Sequence, residues 1–507
     1  MRQPQQDWFA KWAVYSPGKV AVKEYESQRT FTYGELHRLG NQLAFHLRSR
    51  YGIEKGSRIA ILAENCLEYI ALFAAMQKMG CILVPMNYRL ASSEIDYLLR
   101  DSEPALAIAE KKFEGVLQAA PAFSGIPHYW PLEELAAFCE THKAGPPDAE
   151  YPLEEVDEGH PAFILYTSGT TGFPKGAIYS HKMLFWNSIN TAMSLIINSE
   201  GRTINVMPPF HTGGWNVLTT PFLHHGAYTC MLKKFDADAV LRLLQEEAVT
   251  LFMGVPTMLK MIAEAPAFEA ASFPGLYYII VGGESMPIPL IEIWDAKGVA
   301  IRQGYGMTEV GPNLTSLHQD DAIRKKGSIG RPNFYVRIRI TDEDGSQVPC
   351  NQPGELLLQG PMVSPGYWRN EAATQKALED GWFHTGDMVR EDEQGYLYVV
   401  DRIKNMFISG GENVYPAEVE RVLLKQAGIS EAAVIGVADE KWGEVGKAFV
   451  VTQEGAALSR EAITEHCLQN LAKFKVPRYI EFVETLPKND TGKIDRQALK
   501  QWAPNKL

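Results

Sequence analysis

Between residues 32 and 109 the hydrophobic pattern switches repeatedly between a helical and a strand period, and that alternation limits the possible folds more than any other feature. Thr32 and Glu35 have the spacing of a helix-starting capping box, and Leu36, Leu39, Leu43 and Leu47 then fall on one helical face. A strand-like run at 57–62 follows, then a helix at 66–79, a buried strand at 82–85, a helix at 93–99 and a strand at 105–109. Parallel neighbours need a crossover between them, and a helix is the usual one. The spacing therefore predicts an α/β fold: a large multi-layered N-terminal domain with mostly parallel sheets. The pattern returns at 250–253, which leads into a helix with Pro256 near its start. It returns again at 277–281, a strand ending at Gly282 and Gly283, and at 299–302, which runs into Gly304. Near residue 401 a smaller α+β unit begins, with strands at 432–437 and 449–452 and helices at 417–425 and 460–470. We place the boundary at Arg402 to Lys404, giving domains 1–402 and 403–507.

With 507 residues, 46% apolar and 22% charged, the chain has the composition of an ordinary globular protein with an ample core. Residues 1–12 lack a continuous apolar stretch, and no later run reaches the roughly 18 apolar residues of a membrane span. A cytoplasmic protein without integral membrane association is expected. Cys66, Cys81, Cys139, Cys230, Cys350 and Cys467 show no CxxC spacing, which indicates neither a disulfide framework nor a zinc site. A net charge of −12 argues against a nucleic-acid partner, which would call for a broad basic face. The charge is uneven: residues 1–402 hold 35 basic and 47 acidic side chains, whereas 473–507 hold eight basic and four acidic. That basic tail suits ATP or the phosphates of coenzyme A.

In open α/β sheets ligands bind beyond the strand ends, so the segments after Tyr166, Val281 and Gln303 are candidate ligand loops. The first reads YTSGTTGFPKG over 166–176. Its hydroxyl groups and glycine N–H groups can converge on phosphate oxygens, with Lys175 supplying charge. It lies between strand-like runs at 161–166 and 177–179 and opens no helix, unlike the GxxxxGK[ST] phosphate loop. A Gly/Thr surface turn is the competing explanation. A second phosphate-suited group, Thr491, Gly492 and Lys493, comes more than three hundred residues later.

Three further segments accompany these, GYGMTE at 304–309, WFHTGD at 382–387 and DRIKNMFISGGE at 401–412, and the second group closes PKNDTGK at 487–493. In this order and at these intervals they resemble the adenylate-forming superfamily of acyl-CoA synthetases, peptide-synthetase adenylation domains and luciferases. The resemblance runs from about residue 31 to 499, and the fatty and aromatic acyl-CoA ligases look most similar. It implies an ATP-dependent acid–thiol ligase. A carboxylic acid and MgATP give an acyl adenylate and pyrophosphate, and coenzyme A then displaces AMP. It also implies that the C-terminal domain is mobile, rotating about Lys404.

The resemblance further implies individual roles. Lys493 is the catalytic cation at the carboxylate and α-phosphate; Thr308 touches phosphate beside Glu309, whose carboxylate suits Mg²⁺, a hard ion that retains several waters. Thr167, Ser168, Gly169, Thr170, Thr171, Gly172 and Lys175 line the phosphates. Gly304, Tyr305, Gly306 and Met307 form one side of the adenine site, and Gly283 and Glu284 the other. Asp387 accepts from the ribose hydroxyls, and Arg402 donates to the same sugar. Gly410 and Gly411 line the pantetheine tunnel, and Trp442, Phe474 and Lys475 are candidate coenzyme A contacts. The acyl pocket is expected to involve His211, Gly213, Trp215, Val281 and Gly282, with His211 as a gate and Trp215 shortening the pocket. Amino-acid-activating relatives carry an Asp where this chain has His211. Together with the lack of a carrier-protein segment after residue 507, this leads us to expect no peptide-synthetase module. An acyl-AMP ligase loading a separate carrier protein is the alternative enzyme, and a non-catalytic acyl-nucleotide sensor the alternative of another class. The sequence leaves a homodimer open.

Overall fold

The computed structural model describes residues 7–144, 149–167, 174–283, 286–409, 412–453, 455–456, 458–489 and 492–502. The chain divides into two compact units, one of Met1–Ile338 with Leu358–Phe383 and the other of Arg339–Leu357 with His384–Leu507.

The larger unit is built as its period predicts. The Thr32 hydroxyl accepts from the Glu35 N–H at 3.2 Å while the Glu35 carboxylate accepts from the Thr32 N–H at 2.7 Å, closing the capping box of the helix Tyr33–Tyr51. Leu36, Leu39, Leu43 and Leu47 are all fully buried, and Gly52, at φ 63°, ends the helix in the left-handed conformation that costs glycine least. The helix Leu67–Met79 is buried on every side, which is why its pattern reads as continuously apolar rather than striped. These helices flank a six-stranded sheet in the order His128–Pro131, Leu106–Ala109, Arg58–Leu62, Ile82–Pro85, Pro161–Thr167, Lys175–Ser180. Its first five strands are parallel, and the last is antiparallel to Pro161–Thr167. The strands Ile82–Pro85 and Leu106–Ala109 are buried on both faces, as central parallel strands are. A four-stranded sheet orders Thr30–Thr32, Val20–Glu24, Tyr228–Met231 and Arg202–Asn205.

The five-stranded sheet carries one correction. Leu251–Gly254, Tyr278–Val281 and Ala300–Met307 are parallel as expected, but the chain does not leave the sheet after Gln303. It stays in the strand through Gly304, Tyr305, Gly306 and Met307 and pairs antiparallel with Gly311–Ser316, with a bulge between Tyr305 and Met307. Two glycines had suggested a loop, but their physical role is close approach: a Cβ on Gly306 would lie 2.3 Å from the Pro312 carbonyl carbon. The turn follows instead at 308–310.

The smaller unit has a sheet whose long antiparallel pair, Ile429–Asp439 and Gly443–Thr452, extends beyond the segments read from sequence. Phe407–Ser409 and Tyr479–Phe482 both join Gly443–Thr452 on the edge away from Ile429–Asp439, the first at Gly443 and the second over 447–450. Helices Pro416–Leu423 and Arg460–Asn470 share an apolar cluster with Phe407, Val434, Val450 and Ile480. A second cluster places Leu499, of the helix Arg496–Trp502, with Ala433, Ile435 and Phe449. Among the described residues, no helix is long and apolar enough to cross a membrane.

Candidate active site

In the larger unit, the antiparallel pair Pro161–Thr167 and Lys175–Ser180 sets Thr167 opposite Lys175. Ser168, Gly169, Thr170, Thr171 and Gly172 lie outside the described residues, as do Glu284, Gly410, Gly411 and Thr491. The strand ends bring Thr167, Lys175 and Glu309 together. Glu309 Oε1 is 3.4 Å from the Thr167 hydroxyl, at the long end for a hydrogen bond, and accepts from the Tyr367 hydroxyl at 3.0 Å. The Lys175 ammonium stands 5.2 Å from the centre of the Tyr367 ring, within cation–π range. Burial first, and then the Glu309 carboxylate, raise the Tyr367 phenol well above its usual pKa, so it remains a donor.

Residues 364–368 reach this position by lying along the strand Lys175–Ser180. The Ile178 N–H donates to the Gly366 carbonyl at 3.0 Å, and the Trp368 N–H to the Gly176 carbonyl at 2.7 Å. The Ser364 N–H donates to the Glu309 carbonyl at 2.8 Å. Sequence reasoning missed Tyr367, because it lies 58 positions from Glu309 in a segment without a recognisable phosphate or metal pattern.

The donor set fits Mg²⁺: one carboxylate among hydroxyl oxygens, with nitrogen and sulfur ligands absent from it. Among the described residues there is no cluster of three or more His, Cys, Asp or Glu side chains that could cage a metal. A single-carboxylate site suits an ion that takes its other ligands from phosphates and water. Thr308 shares the turn with Glu309, and Tyr305 lies on the preceding strand opposite Thr315. Val281, at the end of Tyr278–Val281, is in register with Gln303 within Ala300–Met307, and a Cβ on Gly282 would lie 3.8 Å from the Gly304 carbonyl oxygen. Gly283 has φ 85°, a conformation that favours glycine. Val281 and Gly282, expected for the acid, thus stand beside Gly304, expected for the nucleotide.

The acid-side residues separate into different environments. His211 is half-buried, its ring 4.5 Å from that of Phe210. Gly213 begins a π-helical turn, Gly213–Val217, an element often found at functional sites. Gly214 is the tighter position, since a Cβ there would lie 2.3 Å from the Pro208 carbonyl oxygen. Trp215 points into the core rather than an open wall. Its indole N–H donates to the Pro209 carbonyl at 2.8 Å, and its ring packs on Tyr69, Phe73 and Phe163. The Val281 side chain likewise belongs to a core cluster. A cavity of about 520 Å³ beside Pro208 is lined by Tyr88 and Phe113 and by four cations, Arg89, Lys112, Lys233 and Lys234, with Glu64 among them. Its charges come from separate stretches of chain, so no sequence motif marks it.

The smaller unit assembles its own group. Asp387, nearly buried, accepts from Arg402 Nε at 3.0 Å across paired strands. Its backbone is fixed by Thr385, whose hydroxyl accepts from the Asp387 N–H at 3.1 Å and donates to the Leu356 carbonyl at 2.7 Å. Asp401, which sequence reasoning passed over, accepts from Asn405 Nδ2 at 3.1 Å and from the Ala417 N–H at 2.8 Å, clasping the turn that holds Lys404. Partial loss of hydration, then the charges of Arg402, Arg496 and Lys493, lower the Lys404 pKa, against the opposite influence of Asp387. Lys493 thus lies in the same electrostatic neighbourhood as Arg402 and Asp387. Its backbone is pinned in a tight turn: its N–H donates to Asn489 Oδ1 at 3.0 Å, and Gly492 has φ 83°. Trp442 is half exposed on a turn whose N–H groups at Lys441 and Trp442 are both accepted by Asp439 at 3.0 Å. Lys475 is paired with Glu418 at 2.8 Å beside the exposed Phe474 ring.

A nucleotide-suited strand pair beside a carboxylate fit for Mg²⁺ is the arrangement of an enzyme that uses a nucleotide with its metal. Residues 9–368 match the family described as AMP-binding enzyme, and 418–493 match the AMP-binding enzyme C-terminal domain. The chain belongs to the AMP-binding enzymes. It is 38% identical to a feruloyl-CoA synthase of Amycolatopsis sp over 487 residues, 96% of each chain. It is 36% identical to the long-chain-fatty-acid–CoA ligase FadD13 of Mycobacterium tuberculosis over 491 residues, again 96% of each. The structure of o-succinylbenzoate coenzyme A synthetase from Bacillus subtilis, in complex with ATP and magnesium ion, superimposes with a TM-score of 0.83. That match has 30% identity and covers 97% of this chain and 99% of that one.

Proposed function

We propose that the protein is an AMP-forming acyl-CoA ligase acting on a fatty or aromatic acid. The observation that carries this reading is the meeting of Thr167, Lys175 and Glu309 at one sheet edge, in a chain that belongs to the AMP-binding enzymes. In the first half-reaction a carboxylate oxygen attacks the α-phosphorus of ATP and the bond to pyrophosphate breaks. Lys493 opposes the charge that develops there, the kind of interaction that accelerates a step because it strengthens in the transition state. Glu309 would hold Mg²⁺, which when bound neutralises phosphate charge. Asp387 and Arg402 orient the ribose, and Tyr305 packs on the base.

In the second half-reaction the thiol of coenzyme A attacks the acyl carbon, and AMP leaves with the bonding electron pair. Trp442, Phe474 and Lys475 receive coenzyme A. Residues 403–507 act as the moving domain, with Lys404 as pivot and the Asp401 clasp fixing where bending begins. His211 gates the acid. The relatives named above as coenzyme A ligases weigh against the carrier-loading alternative, and Lys493 weighs against a passive sensor. The test is a coenzyme A-dependent AMP-release screen across short, medium and long fatty acids and aromatic acids. Thioester formation with members of one of these classes is expected, and adenylate formation without thioester for every acid would refute the reading.

A further inference from the structure

Glu309 is held through one oxygen. Its Oε1 accepts from Tyr367 at 3.0 Å and lies 3.4 Å from the Thr167 hydroxyl, whereas Oε2 has no hydrogen-bond partner among the described residues. Tyr367 is itself fixed from three directions. Its N–H donates to the Thr374 hydroxyl at 2.9 Å, its neighbours Gly366 and Trp368 are bonded to the strand Lys175–Ser180, and its ring lies under the Lys175 ammonium. The Trp368 indole also donates to the Asp101 carbonyl at 3.1 Å, so the segment cannot slide along the strand without breaking contacts at both ends. A carboxylate on a flexible side chain loses rotamer freedom when it binds a metal, and a fixed donor on one oxygen removes that cost beforehand.

We propose that Tyr367 is a positioning residue for the metal-binding carboxylate: its hydroxyl engages Glu309 Oε1 and thereby reserves Oε2 for Mg²⁺, in concert with Lys175 on the same ring. The inference rests on the reading of Glu309 as the metal ligand. Tyr367 touches neither nucleotide nor acid in this role. It links the two strand ends, so that the lysine suited to phosphate and the carboxylate suited to metal share one support.

The full-length Tyr367→Phe protein keeps the ring over which Lys175 sits and removes the donor. Its apparent Mg²⁺ constant in acid-dependent pyrophosphate exchange should rise about tenfold, the usual effect of losing a ligand's hydrogen-bond partner. Mn²⁺ binding in the presence of a non-hydrolysable ATP analogue, followed by electron paramagnetic resonance, should weaken in parallel without any turnover. On a Glu309→Gln background the same change should add nothing, because the pair acts as one unit. Ser364→Ala loosens the same segment by removing the hydroxyl that donates to the Ile178 carbonyl at 2.7 Å, without touching the carboxylate. It should lower the melting temperature and leave the Mg²⁺ constant in place. An unchanged Mg²⁺ constant in Tyr367→Phe, or an equal rise in Ser364→Ala, overturns the positioning role. If Glu309→Gln alone leaves metal dependence unchanged, it is the assignment of Glu309 that fails.

Discussion

Replacing Trp215 by alanine removes an indole packed on Tyr69, Phe73 and Phe163 and leaves the Pro209 carbonyl without its donor. Loss of a buried aromatic of this kind costs about 3–5 kcal/mol, so urea unfolding of Trp215→Ala should show a correspondingly lower midpoint. Activity should fall in proportion across acids; a selective gain with longer acids at parental stability would return Trp215 to the acyl wall. The residue illustrates what sequence can carry. Its place in the PPFHTGGWN segment is legible, whereas the direction of its ring is decided by rings from two other segments, at 69–73 and at 163. Tyr367 is the reverse case: no local pattern marks it, and only folding brings it to Glu309. Thr167 and Lys175 could be singled out because phosphate-suited chemistry is concentrated at 166–176, and Glu309 because its GYGMTE segment is part of the family resemblance.

Two helices carry half-buried histidines that the proposed chemistry does not use. His181 starts the helix His181–Leu195, and His224 ends the helix Thr219–His224, stacked on Trp8 at 4.2 Å and bonded to the Ser188 hydroxyl at 2.8 Å. Burial, and then the neighbouring His160 and His225 respectively, lower both to about 3. Between pH about 6.5 and 3 the unfolded chain therefore binds protons that the folded chain refuses, so stability falls as pH falls. The loss approaches about 1.4 kcal/mol per pH unit for each histidine. Melting temperature should drop between pH 7.5 and 5.5, and His181→Gln or His224→Gln should flatten that slope, measured by calorimetry; parallel slopes would refute the assignment. At this scale most elements were legible because periodicity is a local property. The capping box at Thr32 and the buried strand at Ile82–Pro85 fall where expected. The strand through Gly304 was not, since glycine spacing cannot distinguish a loop from a bulged strand pressed against its neighbour.

At the scale of the molecule, the proposed division of labour predicts separable half-reactions. Lys493→Ala should lose adenylate formation by about 10²–10³, the usual effect of removing one electrostatic group aimed at the transition state, and should still convert a supplied acyl adenylate to thioester. Gly411→Leu should do the opposite, retaining pyrophosphate exchange while failing to transfer the acyl group to coenzyme A. Quenched single-turnover assays read each step. If Lys493→Ala is equally poor with the supplied adenylate, the domain-rotation reading fails. Composition and charge indicated the general class of chain, but the order of strands in each sheet was set by long-range pairing that no window of sequence contains. One feature reaches beyond the reaction. The two apolar clusters of the smaller unit described above draw every member from residues 407–499. Elements whose described apolar clusters are all their own can be inherited as a piece. Substitutions that retune the proposed acid pocket then leave these clusters undisturbed, and lineages can explore new acids while keeping the same final lysine.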